Sequence, residues 1–192
     1  SRRRRLTLRV EGTVAPLPTP RMLFHRPTPW RSEVRCSTKI FAELFRDSGS
    51  AVTYLEDPLD PLNVIRSRSA VDDWRRSPAR CSGVWVMKPL TPVPVRDLPG
   101  LRSRAALRAR YRWCRPPITQ MAERSGHGKP DVVWSARPGS AALRELFPEA
   151  RFAVQVVDYY PAFRGEEIKE VERVDYAAAD HVFVIGHAMT DY

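Results

Sequence analysis

The chain alternates between short apolar runs and stretches with helical spacing, and this alternation limits its possible folds more than any other feature. Six runs are rich in β-branched and aromatic residues: 22–25, 51–55, 83–87, 131–134, 152–157 and 181–185. Most of them lack the apolar–polar alternation of half-exposed strands, and such continuous runs are typical of strands buried on both faces of a parallel sheet. The pattern therefore predicts an α/β fold, a Rossmann-like doubly wound parallel sheet of about six strands in a single domain.

The segments between these runs carry the spacing of amphipathic helices. The first helix is predicted to be capped by Ser37 or Thr38 and stopped by Gly49, with one apolar face formed by Ile40, Phe41, Leu44 and Phe45. Further helices are predicted over residues 101–114, after Pro117, over 141–147 with Ser140 as the cap, and over 166–179. In the last of these, the inward residues are expected to be Ile168, Val171, Val174 and Ala178.

Two parts of the chain do not follow this alternation. Residues 1–20 combine four consecutive arginines with three prolines, a composition that buries little apolar area. We expect a flexible extension there, followed by the Rossmann-like domain over residues 21–192. Residues 58–80 are predicted to form a loop with one short helix.

The charge of the chain is unevenly distributed. The formal net charge is +10, but residues 1–137 hold 27 basic and 12 acidic side chains, whereas residues 138–192 hold 5 and 10. A basic front favours an anionic ligand or membrane surface. Nucleic-acid binding would rest on charge alone, since no recognition motif accompanies it, and is not expected.

Composition also limits the location and the redox chemistry. No stretch approaches the roughly 18 uninterrupted apolar residues of a membrane-spanning helix, and the basic start is not followed by a signal sequence. We expect a cytoplasmic protein, peripheral at the inner face of the membrane if its ligand is lipid-linked. The three cysteines and four histidines have neither zinc nor disulfide spacing, so reduced thiols and no metal site are expected.

In an open parallel sheet, ligands bind outside the carboxyl ends of the strands. This places candidate loops at residues 27–37, 88–94, 135–140 and 158–165. The first loop leads into a helix N-terminus and holds cationic, hydroxyl and aromatic side chains that suit a phosphate or carboxylate: Trp30, Arg31, Ser32, Glu33 and Arg35. An ordinary capped loop with solvated arginines is the alternative.

Asp158 directly follows the apolar strand at 152–157 and precedes Tyr159 and Tyr160. An acid at the rim of the crevice, near apolar surroundings that raise its proton affinity, suits a general base. A loop carboxylate that caps the next turn is the alternative. Arg137, in the loop after the fourth run, is a further candidate for the same cleft.

The helix over residues 101–114 carries a basic stripe. Its arginines recur at spacings of 4, 4 and 3 next to a tryptophan, and the stripe comprises Arg104, Arg108, Arg112, Trp113 and Arg115. Basic helices with interfacial aromatics suit an anionic membrane surface. A merely solvated helix face is the alternative.

Four segments together resemble the N-terminal half of GT-B glycosyltransferases, especially bacterial enzymes of polysaccharide and glycolipid synthesis. They are LFHRPTPWRSEVR at 23–35, DVVW at 131–134, VVDYYPAF at 156–163 and ADHVFVIG at 179–186. The resemblance covers residues 21–192. It implies an acceptor-binding domain whose nucleotide-sugar donor is a co-substrate bound mainly by a C-terminal domain, in cis or in trans.

By the same resemblance, Asp158 is the candidate catalytic base or acceptor-orienting carboxylate, and residues 30–35 face the cleft. Because the chain contains no donor-binding signature, we expect it to be inactive alone. The competing hypothesis is a non-catalytic Rossmann-like module that binds a partner subunit or an anionic membrane surface.

Overall fold

The computed structural model describes residues 19–95, 100–101 and 103–184, and its centre is one sheet of seven strands. The strands are β1 Arg21–His25, β2 Ala51–Leu55, β3 Ala79–Cys81, β4 Val84–Met87, β5 Val132–Ser135, β6 Arg151–Val156 and β7 His181–Val184. Their order across the sheet is β3-β4-β2-β1-β5-β6-β7. All neighbours are parallel except β3 and β4. The predicted α/β, doubly wound parallel sheet is confirmed.

Helices occupy both faces of this sheet. They are α1 Ser37–Asp47, α2 Pro61–Arg66, α3 Arg68–Arg75, α4 Arg104–Arg112, α5 Ile118–Arg124, α6 Ala141–Leu146, α7 Pro161–Arg164 and α8 Ile168–Ala178. One apolar core joins α1 to side chains such as Phe24, Val52 and Tyr54. The other joins α4, α5 and α6 to Leu23, Phe152 and their neighbours. The strands from β4 to β6 across the sheet are therefore covered on both faces, which is why they read as continuous apolar runs, whereas the edge strand β7 is exposed although the same pattern predicted it to be buried.

The direction in which the chain is wound reverses beside β1. From β1 the chain proceeds to β2 and β4 on one side, and it then crosses to β5 on the other. The ends of these strands are aligned, since His25 pairs in register with Leu55 and with Ser135. Strand-to-helix loops that leave in opposite directions open a crevice at such a point.

The segment at 58–80 contains more structure than its sequence indicates. It forms α2, α3 and β3, and β3 adds an antiparallel edge to β4. Ser82 and Gly83 connect these two strands with φ of 49° and 81°, the left-handed pair that a two-residue hairpin turn requires. A strand of three residues is too short to produce a readable period, so this edge was missed.

The predicted buried faces of α1 and α8 are confirmed only in part. In α1, Phe41 and Phe45 pack against the core as predicted, but Ile40 and Leu44 are exposed. Thr38 is buried instead, and its hydroxyl bonds to Gln155 of β6.

In α8, Ile168 is buried and Ala178 packs against the core as predicted, but the polar Glu172 and Asp175 are buried too. Apolar spacing therefore predicted the two helices correctly and their buried faces incompletely, because it does not register buried polar partners.

Neither predicted serine or threonine cap forms. Helix α1 begins after Cys36 with no side-chain cap, and Ser140 places no side-chain cap on α6. Asp175 of α8 instead accepts hydrogen bonds from the amide of Ala141, the first residue of α6, and from that of Gly139 in the preceding loop. A remote carboxylate thus replaces the local hydroxyl.

Residues 1–18 and 185–192 lie outside the described part of the chain, so most of the predicted extension and the end of the sixth apolar run do too. Within the described residues, no helix combines the length and the apolar character needed to cross a bilayer.

Gly139 gives a direct test of the contact between α4 and the β5–α6 loop. A Cβ at this position would lie 2.8 Å from Leu107 Cδ2, whereas a Cβ on Gly126 would meet nothing within 4 Å. Both glycines have positive φ, of 86° and 76°, so alanine strains both backbones alike. We expect Gly139→Ala to lower the free energy of unfolding by about 1 kcal/mol more than Gly126→Ala in urea denaturation. Equal decreases in the free energy of unfolding for the two variants would show that the Leu107 side chain can move aside without an energetic penalty.

Candidate functional site

The strand order places a crevice at the reversal point, between the residues that follow β1, β2, β5 and β6. Backbone hydrogen bonds extend the sheet pairing past the strand ends: Arg26 N donates to the Leu55 carbonyl at 3.1 Å, and Ala136 N donates to the His25 carbonyl at 3.1 Å. The loops therefore leave the sheet from fixed positions. This rigidity matters because side chains on these loops can then hold a constant geometry.

His25, at the end of β1, is fully buried in a polar network beneath the crevice. Its Nδ1 lies 2.9 Å from Ser135 Oγ, and its Nε2 lies 3.3 Å from the Tyr111 hydroxyl. Burial first, and then Arg137 and Arg110, hold the pKa of His25 well below its ordinary value. The imidazole is therefore neutral, and the 3.8 Å approach of Asp57 Oδ1 to Nε2 is a polar contact rather than a salt bridge.

The network resembles a serine–histidine–aspartate arrangement only in its residue types. Ser135 and His25 are both completely buried, so no substrate can reach the serine oxygen. Ser135 Oγ also accepts a hydrogen bond from Arg137 N at 3.3 Å. The network thus supports the floor of the crevice instead of forming a nucleophile.

Arg137 is joined to the β2 side of the crevice by an ion pair. Its Nη1 lies 2.6 Å from Asp57 Oδ2, and the Asp57 side chain is 20% exposed. The pair spans from the loop after β5 to the loop after β2, over the end of β1. Since a buried ion pair costs desolvation energy, its position at the crevice indicates a constraint on loop geometry more than a gain in stability.

Glu56 anchors the loop that follows β1. Its Oε1 accepts a hydrogen bond from Trp30 N at 2.7 Å, and its Oε2 lies 3.2 Å from Lys88 Nζ. The Trp30 ring packs on Tyr54 with the centroids 5.0 Å apart. Trp30 therefore serves first as a packing residue that fixes the start of the 30–36 turn.

The predicted cleft residues after Trp30 turn away from β5. Arg31 Nη1 lies 3.3 Å from Asp73 of α3, and its Nη2 lies 3.6 Å from Cys81 Sγ of β3. The carbonyl and hydroxyl oxygens of Ser32 accept hydrogen bonds from Lys39 Nζ. Arg35 forms an ion pair with Glu43 at 2.9 Å. Glu33 is exposed. The structure does not bring Arg31, Ser32 or Arg35 to the reversal point.

A cationic and hydroxyl-lined corner forms instead at Arg26 and the start of α1. Arg26 lies 3.4 Å from the hydroxyls of Thr28 and Thr38, and it has no carboxylate partner among the described residues. Gln155 of β6 donates to Ser37 Oγ at 3.1 Å and accepts from Trp134 Nε1 at 3.1 Å. An arginine beside a helix N-terminus favours a bound anion.

Asp158 and the two tyrosines lie on the turn after β6. Asp158 is exposed, so the apolar surroundings expected for it are absent among the described residues. Tyr159 is also exposed, with Lys169 Nζ 5.9 Å from its ring centroid. Tyr160 is half-buried, and its hydroxyl donates to the Ala136 carbonyl at 3.2 Å, linking the loops after β6 and β5.

The electrostatics of Tyr160 show which charges surround it. Burial raises the pKa of Tyr160, and Asp158 raises it further, whereas Arg26, Arg164 and Arg137 lower it. The phenol therefore lies within electrostatic reach of both Asp158 and Arg26. The structure brings together Asp158, Tyr160 and Arg137 from the sequence prediction, and it adds Arg26.

The predicted basic stripe of α4 lies outside the crevice. Arg104, Arg108 and Arg112 are exposed, but Arg108 Nε is paired with Glu145 of α6 at 2.9 Å. Trp113 and Arg115 follow the helix end and lie beside the loop after β4. The predicted stripe is therefore split: Arg108 pairs with α6, whereas Trp113 and Arg115 lie beside the loop after β4.

Sequence reasoning missed four residues of the crevice: His25, Arg26, Glu56 and Asp57. Each directly ends or follows an apolar strand, as Asp158 does, so the same positional signal could have found them. Ser135 begins one of the predicted candidate loops, whereas Tyr111 and Gln155 lie within a predicted helix and a predicted strand, where nothing in the local sequence distinguishes a buried polar residue from a surface one.

Asp175 holds the loop that carries Arg137. Its carboxylate accepts hydrogen bonds from Gly139 N at 2.6 Å and from Ala141 N at 2.7 Å, at the start of α6. Burial raises the pKa of Asp175 to about 7, and the backbone amides at 139–141 oppose this effect. The carboxylate therefore positions the β5–α6 loop from α8.

Within the described ranges, no three histidine, cysteine, aspartate or glutamate side chains meet in a cluster that could hold a metal ion. No protein-family model matches the chain, and no curated protein matches it.

We expect Asp175 to make stability depend on pH. Its folded-state pKa of about 7 exceeds the unfolded value of about 3.9, so the folded state binds the proton more tightly. Its contribution to stability is therefore complete below pH of about 4 and is lost as the pH rises to about 7. Between pH of about 5 and 8, wild type should lose on the order of 2 kcal/mol relative to Asp175→Asn in urea denaturation.

The comparison is made against the variant because His25, with its lowered pKa, contributes a slope of the opposite sign. Asp180→Asn is the matched control, since the pKa of Asp180 is lowered by its bond from Phe152 N and it titrates below this range. Parallel pH profiles for wild type and Asp175→Asn would contradict the assignment.

Proposed function

We propose that this chain is the acceptor-binding domain of a GT-B-type glycosyltransferase. The complete enzyme would transfer a sugar from a nucleotide-sugar to a hydroxyl of a glycan or glycolipid. The donor would be bound mainly by a second domain, in the same polypeptide or in another subunit. The order of the parallel strands and the crevice beside β1 support this proposal, together with the four sequence segments that resemble this family.

The observation that carries the proposal is the position of Asp158 beside Tyr160. Asp158 is exposed on the turn after β6, and within the described chain its carboxylate accepts no hydrogen bond, so it is free to accept one from a ligand. Tyr160 fixes this turn through its bond to the Ala136 carbonyl. A carboxylate on an anchored loop at the mouth of the crevice suits the orientation of a hydroxyl group.

The reaction also requires positive charge near the diphosphate, which leaves as an anion. Arg26, with no carboxylate partner among the described residues, lies beside the first turn of α1 and near Tyr160. A cation and helix amides on the same crevice as the acceptor carboxylate would stabilise a diphosphate as negative charge develops on it. Arg137 adds charge, although Asp57 neutralises part of it.

In the proposed reaction one bond forms and one bond breaks at the anomeric carbon of the donor sugar. The acceptor oxygen forms a bond to the anomeric carbon, and its proton passes to the Asp158 carboxylate. The bond between the anomeric carbon and the diphosphate oxygen breaks, and its electron pair leaves with the nucleoside diphosphate. Arg26 and the α1 amides stabilise that leaving charge.

The test is Asp158→Asn in the protein that includes the donor-binding domain. Because the amide cannot take a proton, we expect kcat to fall about 100-fold or more, with KM for the donor changed little. The measurement is release of nucleoside diphosphate from UDP-glucose, UDP-N-acetylglucosamine or GDP-mannose in the presence of oligosaccharide and glycolipid acceptors.

Glu149→Gln is the matched control, since Glu149 is exposed in the turn before β6, at the opposite edge of the sheet. Turnover by Asp158→Asn at the wild-type rate would refute the role of the carboxylate. Absence of any donor turnover by the wild type with its donor domain would refute glycosyl transfer itself.

A further inference from the structure

A second exposed surface lies at the carboxyl edge of the sheet, on the β4 side of the crevice. Leu90, after β4, forms backbone bridges to Leu59, before α2, and to Arg115, after α4. Leu90 N donates to the Arg115 carbonyl at 2.9 Å, and Arg115 N donates to the Leu90 carbonyl at 2.7 Å. These bonds join α2, residues 90–92 and residues 112–115 into one unit, which we call the α2–α4 surface.

The α2–α4 surface exposes large apolar side chains that packing does not explain. Helix α2 has no buried residue, and its apolar residues Leu62, Val64 and Ile65 all face solvent. Ile65 is 82% exposed, and Trp113, at the end of α4, is 55% exposed. A six-residue helix that buries nothing gains no tertiary stabilisation from these side chains.

These apolar groups adjoin one another. Pro61, Leu90, Pro92, Trp113 and Arg115 line one cavity of about 590 Å³ between α2 and the end of α4. Ile65 lies one helical turn after Pro61 and therefore on the same flank of α2. The indole of Trp113 and the flank of α2 that carries Ile65 therefore lie at the same cavity.

The α2–α4 surface itself carries only positive charge. Its segments, residues 61–66, 90–92 and 112–115, contain no aspartate or glutamate, and the nearest acidic residues along the chain after α2 are Asp72 and Asp73 of α3. Arg66, Arg112 and Arg115 are exposed there. The nearby Asp60 is fully buried, and its carboxylate accepts hydrogen bonds from Asn63 N and Val95 N rather than pairing with these arginines.

We propose that the α2–α4 surface docks on an anionic lipid bilayer. Trp113 and Ile65 would enter the boundary between headgroups and acyl chains, where an indole and a branched aliphatic chain are both favourable. Arg66, Arg112 and Arg115 would lie at the lipid phosphates. An acidic protein would be attracted by the same arginines, but it would not account for Ile65, which is 82% exposed and is not among the residues that line the cavity.

The residues of the α2–α4 surface differ from those of the basic stripe that the sequence predicted on α4. Arg108 is paired with Glu145 and lies with Arg104 near the acidic residues of α6 and α8, so neither is included. Leu62 and Ile65 of α2, which sequence reasoning had not connected with α4, are added. The docking does not rest on glycosyl transfer, since either property can be tested without the other.

The test is flotation of the full chain with vesicles of phosphatidylcholine alone or mixed equally with phosphatidylglycerol. We expect binding to the mixed vesicles only, with an affinity that falls as salt is added. Each of Arg66→Gln and Arg112→Gln should weaken binding about five-fold, whereas Arg124→Gln, at the far end of α5, should not. Ile65→Ser should weaken it at least about three-fold, whereas Val34→Ser, also a strongly exposed apolar residue, should not.

Depth of insertion gives a second measurement. Bromine-labelled acyl chains quench tryptophan that enters the bilayer, and Trp113 is the most exposed tryptophan among the described residues. We expect the quenched fraction of the fluorescence to fall in Trp113→Phe.

Three results would overturn the proposal. The first is no binding to mixed vesicles at low salt. The second is equal binding by wild type and by the α2–α4 variants, which would assign binding to the arginines at positions 2–5 instead. The third is tighter binding to polyglutamate, lost in Arg112→Gln but kept in Ile65→Ser, which would indicate an acidic protein partner.

Discussion

The reversal of winding beside β1 is the constraint on which the rest of the structure depends. β1 is paired on both sides, with β2 and β5, and the chain leaves these two neighbours in opposite directions. Its carboxyl end must therefore carry a gap between loops rather than a covering helix. The hydrogen-bonding groups of the strand ends and loops at that gap therefore need side-chain partners. The candidate site consists of the residues that supply these partners.

Those residues form a connected set of supports. His25 joins Ser135 and Tyr111, Asp57 joins Arg137, and Glu56 joins Trp30. Each removes a buried donor or acceptor that would otherwise cost about 1–3 kcal/mol. Because every loop around the crevice is held by at least one such partner, the exposed groups on the rim, Asp158 above all, have fixed surroundings.

The two proposed surfaces share one edge of the sheet. The crevice lies between β1 and β5, and the α2–α4 surface lies beyond β2 at the ends of β4 and α4. A bilayer that contacts Ile65 and Trp113 would therefore lie on the side from which the crevice opens. This arrangement would suit a membrane-linked acceptor, which could reach Asp158 without leaving the lipid surface.

The sequence by itself determined the six parallel strands and the helices α1, α4, α5, α6 and α8, because strands buried on both faces must be continuously apolar and the helices between them are amphipathic. It also located Asp158, Tyr160 and Arg137 at strand ends. Only the tertiary structure decided the full buried faces of α1 and α8, the β3 edge, the capping of α6 by Asp175 and the turn of Arg31 toward α3. These depend on polar contacts between residues remote in sequence, such as Gln155 with Thr38, and such partners leave no periodic signal in either segment.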